Sequence, residues 1–148
     1  MTLTELFCLY NFHDSDVEIP FAINKNDIII TFYLAKHLQS KNFKIKNDKF
    51  ITNKDYDLLI TVKFLDCTNI KASEWEFDYS KGSKPKRLNE KNITIEQIDS
   101  EMFLYTCSMS NEDGVYLFFT RDTIKGSETT FLCAGVEIVE EKFVLENK

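Results

Sequence analysis

Two apolar runs near the N-terminus decide the fold: 17-VEIPFAI-23 and 28-IIITFYL-34. In the first run, apolar side chains recur at every second position, which is the period of a strand with one buried face. The same period places four side chains of the second run on one face: Ile28, Ile30, Phe32 and Leu34. Residues 24–27, Asn-Lys-Asn-Asp, favour a turn between the runs. The segment therefore predicts a β-hairpin.

Pro20 constrains the position of the first strand in its sheet. Proline has no backbone N–H to donate to a ladder of hydrogen bonds, so it is confined to edge strands and bulges. We therefore expect the first strand to lie at a sheet edge or to carry a bulge at Pro20.

A short polar box, His13-Asp14-Ser15, follows Phe12 and precedes the hairpin. These residue types occur in catalytic triads, but triad members converge from distant parts of a fold, and neighbours on an extended chain point to opposite sides. Asp and Ser side chains more often form turns with the nearby backbone. We interpret His13, Asp14 and Ser15 as a structural turn and assign no catalytic residue.

Alternating apolar residues recur along the rest of the chain. They predict a core strand over 56–67, an aromatic and acidic strand over 74–79, and about four strands in meander order between Met102 and Leu145. The sequence therefore predicts a mainly β fold, an antiparallel sandwich or a strongly curved sheet with at most one or two short helices. We expect residues 1–148 to form a single globular domain.

Other segments carry weaker signals. Residues 3–10 fit either a strand or one turn of helix, and residues 43–51 predict a second small hairpin. The Gly, Ser and Pro of 80–87 indicate a long loop, and 123–129 indicates a turn. Gly135 interrupts an apolar run and indicates a bulge.

The predicted strand 74-EWEFDY-79 is the candidate binding element. Its alternation predicts an aromatic inner face and an outer face of carboxylates. Paired glycosidase carboxylates face each other across a cleft, so two on one strand do not indicate that chemistry. The outer face is either simply solvated or a docking surface for a basic protein. The candidate residues are Glu74, Trp75, Glu76 and Asp78.

The composition narrows the classes of partner. The net charge is −6, from 24 acidic and 18 basic residues. Nucleic-acid binding depends on neutralising phosphates, so this charge argues against it, and it favours a partner with a basic surface. The N-terminus has no basic segment followed by a long apolar one, so we expect no signal peptide, no membrane span and a cytoplasmic protein.

The four cysteines are Cys8, Cys67, Cys107 and Cys133. None belongs to a Cys-x-x-Cys pair, so we predict no zinc site, and no motif indicates a cofactor. Each lies among apolar residues, which predicts buried thiols that stay reduced in a cytoplasm.

Two parts of the chain resemble a group of small, uncharacterised bacterial β-rich proteins. Those proteins carry an aromatic- or Leu-His-Asp-Ser/Cys box near the N-terminus, as in Phe12-His13-Asp14-Ser15, and end in paired strands like 115–120 and 131–138. Some of them resemble immunity proteins or accessory proteins of toxin systems. The resemblance carries no activity to His13, Asp14 or Ser15.

Three functions follow as hypotheses. The first is a non-enzymatic protein-binding module, in particular an immunity-type inhibitor of a basic toxin domain. The alternative is a barrel or sandwich that binds a small apolar ligand, because some of the 13 Phe side chains could line a cavity. The third is an enzyme that uses His13 with distant carboxylates, which the sequence supports least.

Overall fold

Ten strands and two short helices account for most of the described residues. The computed structural model describes residues 1–13, 15–18, 21–47, 56–76, 84–98, 104–106, 114–120 and 125–145. The strands are β1 (Asp16–Val17), β2 (Ala22–Asn24), β3 (Asp27–Leu34), β4 (Tyr56–Leu65), β5 (Thr68–Glu76), β6 (Lys86–Asn92), β7 (Leu104–Thr106), β8 (Val115–Thr120), β9 (Lys125–Leu132) and β10 (Gly135–Leu145). The helices are α1 (Leu3–Leu9) and α2 (Lys41–Lys46), and 3-10 turns span Lys36–Leu38 and Ile95–Gln97.

The strands form two antiparallel sheets. The first sheet has the order β1-β3-β4-β10, and β2 also pairs with β3. The second sheet has the order β6-β5-β9-β8-β7. The mainly β, antiparallel fold that the sequence predicts is therefore confirmed.

The predicted N-terminal hairpin is present. β2 and β3 pair from Ala22↔Ile29 to Asn24↔Asp27, and Lys25 adopts a positive φ of 57° in the turn. β1 pairs with the same edge of β3, from Asp16↔Tyr33 to Val17↔Phe32. The register along β3 shifts by two residues between Val17 of β1 and Ala22 of β2. Pro20 falls between these strands and lies outside the described residues.

Large apolar side chains fill the space between the sheets. Four Phe rings contact one another edge to face, with centroid distances of 4.8 Å for Phe12–Phe32, 6.5 Å for Phe32–Phe64 and 5.4 Å for Phe64–Phe131. Phe32 and Phe64 belong to the first sheet and Phe131 to the second, so the chain of rings joins the two sheets in one core. Burying a side chain of this size contributes roughly 1.5–3 kcal/mol.

The chain passes from one sheet to the other twice at the same place. β4 continues into β5 through Asp66 and Cys67, and β9 continues into β10 through Cys133 and Ala134. The backbone N–H of Ala134 donates to the Leu65 carbonyl over 2.8 Å, which ties the two connections together. We call residues 66–67 and 133–134 the corner.

The first strand of the hairpin predicted over 43–51 is wrong, because residues 43–46 belong to helix α2. Residues 48–51 lie outside the described residues. The Ser40 hydroxyl accepts a hydrogen bond from the Phe43 backbone N–H over 3.2 Å, and such a cap supplies a partner for an N–H that a helix start leaves unpaired. Phe43 then packs edge to face on Tyr10, 5.4 Å between centroids. The N-terminal segment, for which the sequence left strand and helix open, forms helix α1 with Thr2 as its N-cap.

Three predictions in the C-terminal half need correction. Residues 125–129 belong to strand β9, although 123–129 predicted a turn. The register shift in β10 lies between Ile138 and Glu140, so Gly135 is not a bulge. The predicted meander holds for β7, β8 and β9, but β10 crosses into the first sheet.

No helix among the described residues is long and apolar enough to cross a membrane.

Candidate binding surface on the second sheet

Three of the four predicted binding residues, Glu74, Trp75 and Glu76, lie on β5, but their faces are reversed. In the register, Ala72 stands beside Thr129 and Thr129 beside Leu117, which is fully buried. Alternation places Glu74 and Glu76 on that same side of β5, where both are exposed because they lie toward the end of the strand. Trp75 points to the opposite face and is half-buried, so the predicted aromatic inner face is wrong at this residue. Asp78 lies outside the described residues.

Trp75 belongs to a polar cluster on the outer face of the second sheet. The register pairs Ser73 with Glu128 and Trp75 with Arg87, so four side chains from three strands meet there. We call Ser73, Trp75, Arg87 and Glu128 the Glu128 cluster. Glu128 is only 5% exposed although it is a carboxylate and lies away from the core face.

Every neighbour in the cluster donates to Glu128. Arg87 approaches with Nη2 at 3.1 and 3.2 Å from the two carboxylate oxygens and with Nε at 3.3 Å from one of them. The Trp75 indole N–H donates to the same oxygen, and the Ser73 hydroxyl lies 3.5 Å from it. A buried carboxylate is costly unless paired and hydrogen-bonded, and these donors satisfy that requirement.

Arg87 and Trp75 present the solvent-facing part of the cluster. The guanidinium carbon lies 5.0 Å from the centre of the indole ring, which is cation–π geometry. The Arg87 side chain is 43% exposed. Glu128 thus fixes a planar cation and an aromatic ring side by side while one side of Arg87 stays open to solvent.

The cluster borders an exposed edge strand. All seven residues of β6 are exposed, and β6 ends the order of the second sheet within the described residues. The register shifts between Ala72 and Glu74, so Asn89 and Glu90 bulge outward, and Asn89 takes a positive φ of 55°. The Asn89 amide donates to Glu74 over 2.9 Å.

Charges at this edge are mixed rather than acidic. Glu76 stands beside Lys86 in the register, and Glu90 pairs with Arg87 at 3.5 Å and with Lys71 at 4.0 Å. The binding role of Glu74 and Glu76 stays a prediction.

The His13 box has the geometry of a turn. The His13 backbone N–H donates to the Asn11 side chain over 2.9 Å, and the His13 side chain is exposed. Ser15 is fully buried, and its hydroxyl donates to the Phe12 carbonyl over 2.6 Å. Asp14 lies outside the described residues.

A cavity of about 290 Å³ lies beside this box. It is lined by Phe7, Cys8, Tyr10, Asn11, Phe12, Leu38 and Ser40. The Tyr10 hydroxyl donates to Glu141 over 2.7 Å, and burial together with that carboxylate raises the pKa of Tyr10 above its ordinary value. The lining of the cavity mixes apolar rings with polar groups, whereas the core between the sheets is apolar.

Sequence reasoning missed Arg87 and Glu128. Arg87 fell in the predicted loop and Glu128 in the predicted turn, so neither was assigned a face. The run Thr129-Thr130-Phe131, of β-branched and aromatic residues, was the available signal for strand β9.

Comparisons of the chain with protein-family models, with curated proteins and with solved structures found no match. Across the ranges that the structure describes, no group of three or more His, Cys, Asp or Glu side chains could hold a metal ion.

Proposed function

We propose that the chain is a non-enzymatic protein-binding module that docks its partner through Trp75, Arg87 and the exposed edge strand β6. The observation that carries the proposal is the Glu128 cluster, in which a buried carboxylate holds an exposed guanidinium against an indole ring. Trp and Arg are the residue types that contribute most often to binding hot spots. Holding them in place before binding lowers the entropy lost on association.

The edge strand supports the same proposal. The outer side of β6 has no neighbouring strand among the described residues, and a partner segment could add to it through backbone hydrogen bonds. Leu88 on this strand is 38% exposed, which offers an apolar contact beside the charged residues.

A basic partner fits the charge of the whole chain. At −6 the protein attracts cationic surfaces over long range, although acidic and basic groups alternate at the edge itself. An immunity-type inhibitor of a basic toxin domain is the finer form of the proposal. In that case, one equivalent of the chain abolishes the activity of the purified toxin domain.

Site-specific photocrosslinking in the source cells tests the docking edge. A crosslinking residue replaces Leu88 on β6, and a matched control replaces Val139 on β10, which is 57% exposed. We expect Leu88 to crosslink to one discrete protein and Val139 not to do so. Equal crosslinking from both positions, or none from Leu88, would contradict the proposal.

The cavity favours one second candidate, the binding of a small ligand. Its volume, about 290 Å³, is close to the lower end of ligand sites, roughly 300–1,000 Å³. Phe7 and Phe12 supply aromatic walls, and Asn11 and Ser40 supply polar groups. A Cys8→Phe substitution should fill the cavity, block binding of such a ligand and leave crosslinking from Leu88 unchanged.

A further inference from the structure

Two of the cysteines lie at the corner where both strand pairs cross between the sheets. Cys67 is 6% exposed and belongs to the core, and Cys133 is half-buried and packs against the same core. Both carry unpaired thiols, as does Cys8, which is exposed on α1 although the sequence predicted a buried thiol. Cys107 lies outside the described residues.

The registers on the two sides of the corner, extended to its centre, bring Cys67 opposite Cys133. Leu65 pairs with Gly135 on one side of the corner, and Thr68 pairs with Leu132 on the other. Each of the two connections contains two residues between these pairs. Cys67, directly before Thr68, therefore faces Cys133, directly after Leu132. Since both side chains pack against the core, they also point to the same side.

The backbone hydrogen bonds indicate that Cys67 and Cys133 form a non-hydrogen-bonded cross-strand pair, the kind with the shorter distance between Cα atoms. The Cys67 N–H donates to the Asn26 carbonyl over 2.7 Å, on the side away from Cys133. In a regular antiparallel ladder, opposed residues that do not exchange backbone hydrogen bonds have Cα atoms about 4.5 Å apart, and the ladders that flank the corner lead into a pair of this kind. That spacing lies within the range of roughly 4.4–6.8 Å that a disulfide spans.

The electrostatics agree with this proximity. Burial raises the pKa of Cys67 to about 12, and the next cause is repulsion from a charge on Cys133. Burial likewise raises the pKa of Cys133 to about 11.

We propose that Cys67 and Cys133 form a disulfide site, which a low-molecular-weight disulfide such as oxidised glutathione closes. The Cys133 thiolate attacks one sulfur of the oxidant and releases one reduced glutathione. The Cys67 thiolate then attacks the Cys133 sulfur of the mixed disulfide and releases the second. The two protein thiols are oxidised, the glutathione disulfide is reduced to two thiols, and the corner becomes covalently closed.

The thiol pKa values set the rate of this exchange. The thiolate is the attacking species, and at neutral pH both groups are almost entirely protonated. The exchange is therefore slow near pH 7 and accelerates by about tenfold per pH unit while the pH stays below the thiol pKa.

Mass spectrometry of the full chain tests the site. The protein is incubated with oxidised glutathione, digested without reduction and mapped, beside Cys8→Ser and Cys133→Ser variants whose folding is checked by circular dichroism. We expect the wild type and Cys8→Ser to lose two hydrogens and yield one linked peptide pair containing Cys67 and Cys133. Cys133→Ser should not form it, and the linked protein should unfold at a higher urea concentration until reductant is added.

Three outcomes would overturn the proposal. They are retention of all thiols at alkaline pH, a stable glutathione adduct on Cys133 that never resolves, and a linked pair that involves Cys8 or Cys107 instead. If Cys133→Ser does not fold, the peptide map of wild type against Cys8→Ser still decides between these outcomes.

Discussion

Glu128 determines the stability of the outer face of the second sheet, because its buried charge depends on Arg87. Removing one member of a buried pair leaves the other uncompensated. In a double-mutant cycle of Glu128→Gln and Arg87→Met, we expect a coupling energy of about 1–3 kcal/mol, since Arg87 is itself partly solvated. The control is Lys142–Glu140, an exposed pair at 3.3 Å that does not include Arg87 or Glu128, for which we expect less than about 1 kcal/mol. Urea unfolding measures both, and equal coupling in the two pairs would contradict the role of Glu128.

The backbone conformation at Gly114 leaves little room for any side chain. Its φ is +82°, and a Cβ there would lie 2.3 Å from the Phe131 carbonyl oxygen. We expect Gly114→Ala to destabilise the protein by more than about 1 kcal/mol. Gly135→Ala is the control, because its Cβ would meet its nearest neighbour at an ordinary 3.4 Å. Thermal melting compares the two variants. A Gly114→Ala protein with the melting temperature of the wild type would contradict the expected backbone strain.

Single residues were predictable from the sequence where burial alone decides their position. Ile28, Ile30 and Phe32 are fully buried, as the alternation predicts. Glu128 was not predictable, because its burial depends on Ser73, Trp75 and Arg87 arriving from two other strands. A pattern of period two assigns a face within one strand and contains no information about its neighbours.

Strand β6 depends on the bulge at Asn89. Asn tolerates a positive φ, whereas a β-branched residue is strained there. We expect Asn89→Val to cost about 1–2 kcal/mol and Asn89→Gly to cost less, although both lose the hydrogen bond to Glu74. Hydrogen exchange of the β5 and β6 amides measures the effect on this element, and equal protection in both variants would argue against backbone strain.

Elements with a buried face were predicted best. β3 and β4 show the alternation that burial of one face demands, and both were found. β6 was missed because all seven residues are exposed and carry no apolar period. Phe43 was assigned to a hairpin because a short segment with few apolar residues fits strand and helix equally, and its Ser40 cap then determines the helix.

At the scale of the whole molecule, buried acidic groups predict a loss of stability at high pH. The ordinary thiol pKa is 9.0, and the folded values are about 12 for Cys67 and about 11 for Cys133. Below pH 9 the thiols are protonated in both the folded and the unfolded protein, and their contribution to the free energy of unfolding is complete. Above pH 9 the unfolded chain releases protons that the folded chain keeps, so stability falls until the folded thiols ionise. Tyr10 acts in the same direction.

Urea unfolding under reducing conditions, from about pH 8 to about pH 11, measures this loss. We expect the unfolding midpoint of the wild type to fall across the range and that of Cys67→Val to fall less. The comparison removes the contribution of lysine deprotonation, which both proteins share. Identical pH profiles would show that Cys67 does not contribute.

The sandwich as a whole followed from the sequence, but the path of the chain through it did not. Recurrent alternation predicted antiparallel sheets, whereas the crossing of β4 into β5 and of β9 into β10 depends on a corner with little sequence signal. Asp66 in the corner adopts a positive φ of 47°, and Asn69, near the start of β5, adopts one of 52°; the alternation of apolar residues does not identify either of them.

The affinity of the crosslinked partner for Trp75→Ala tests the central claim most directly. The control is Tyr33→Ala, which removes another half-buried aromatic side chain, on the outer face of the first sheet. With both variants confirmed as folded, we predict that Trp75→Ala weakens binding by at least about 30-fold and that Tyr33→Ala changes it by less than about twofold. A folded Trp75→Ala protein that binds with wild-type affinity would contradict the assignment of this surface.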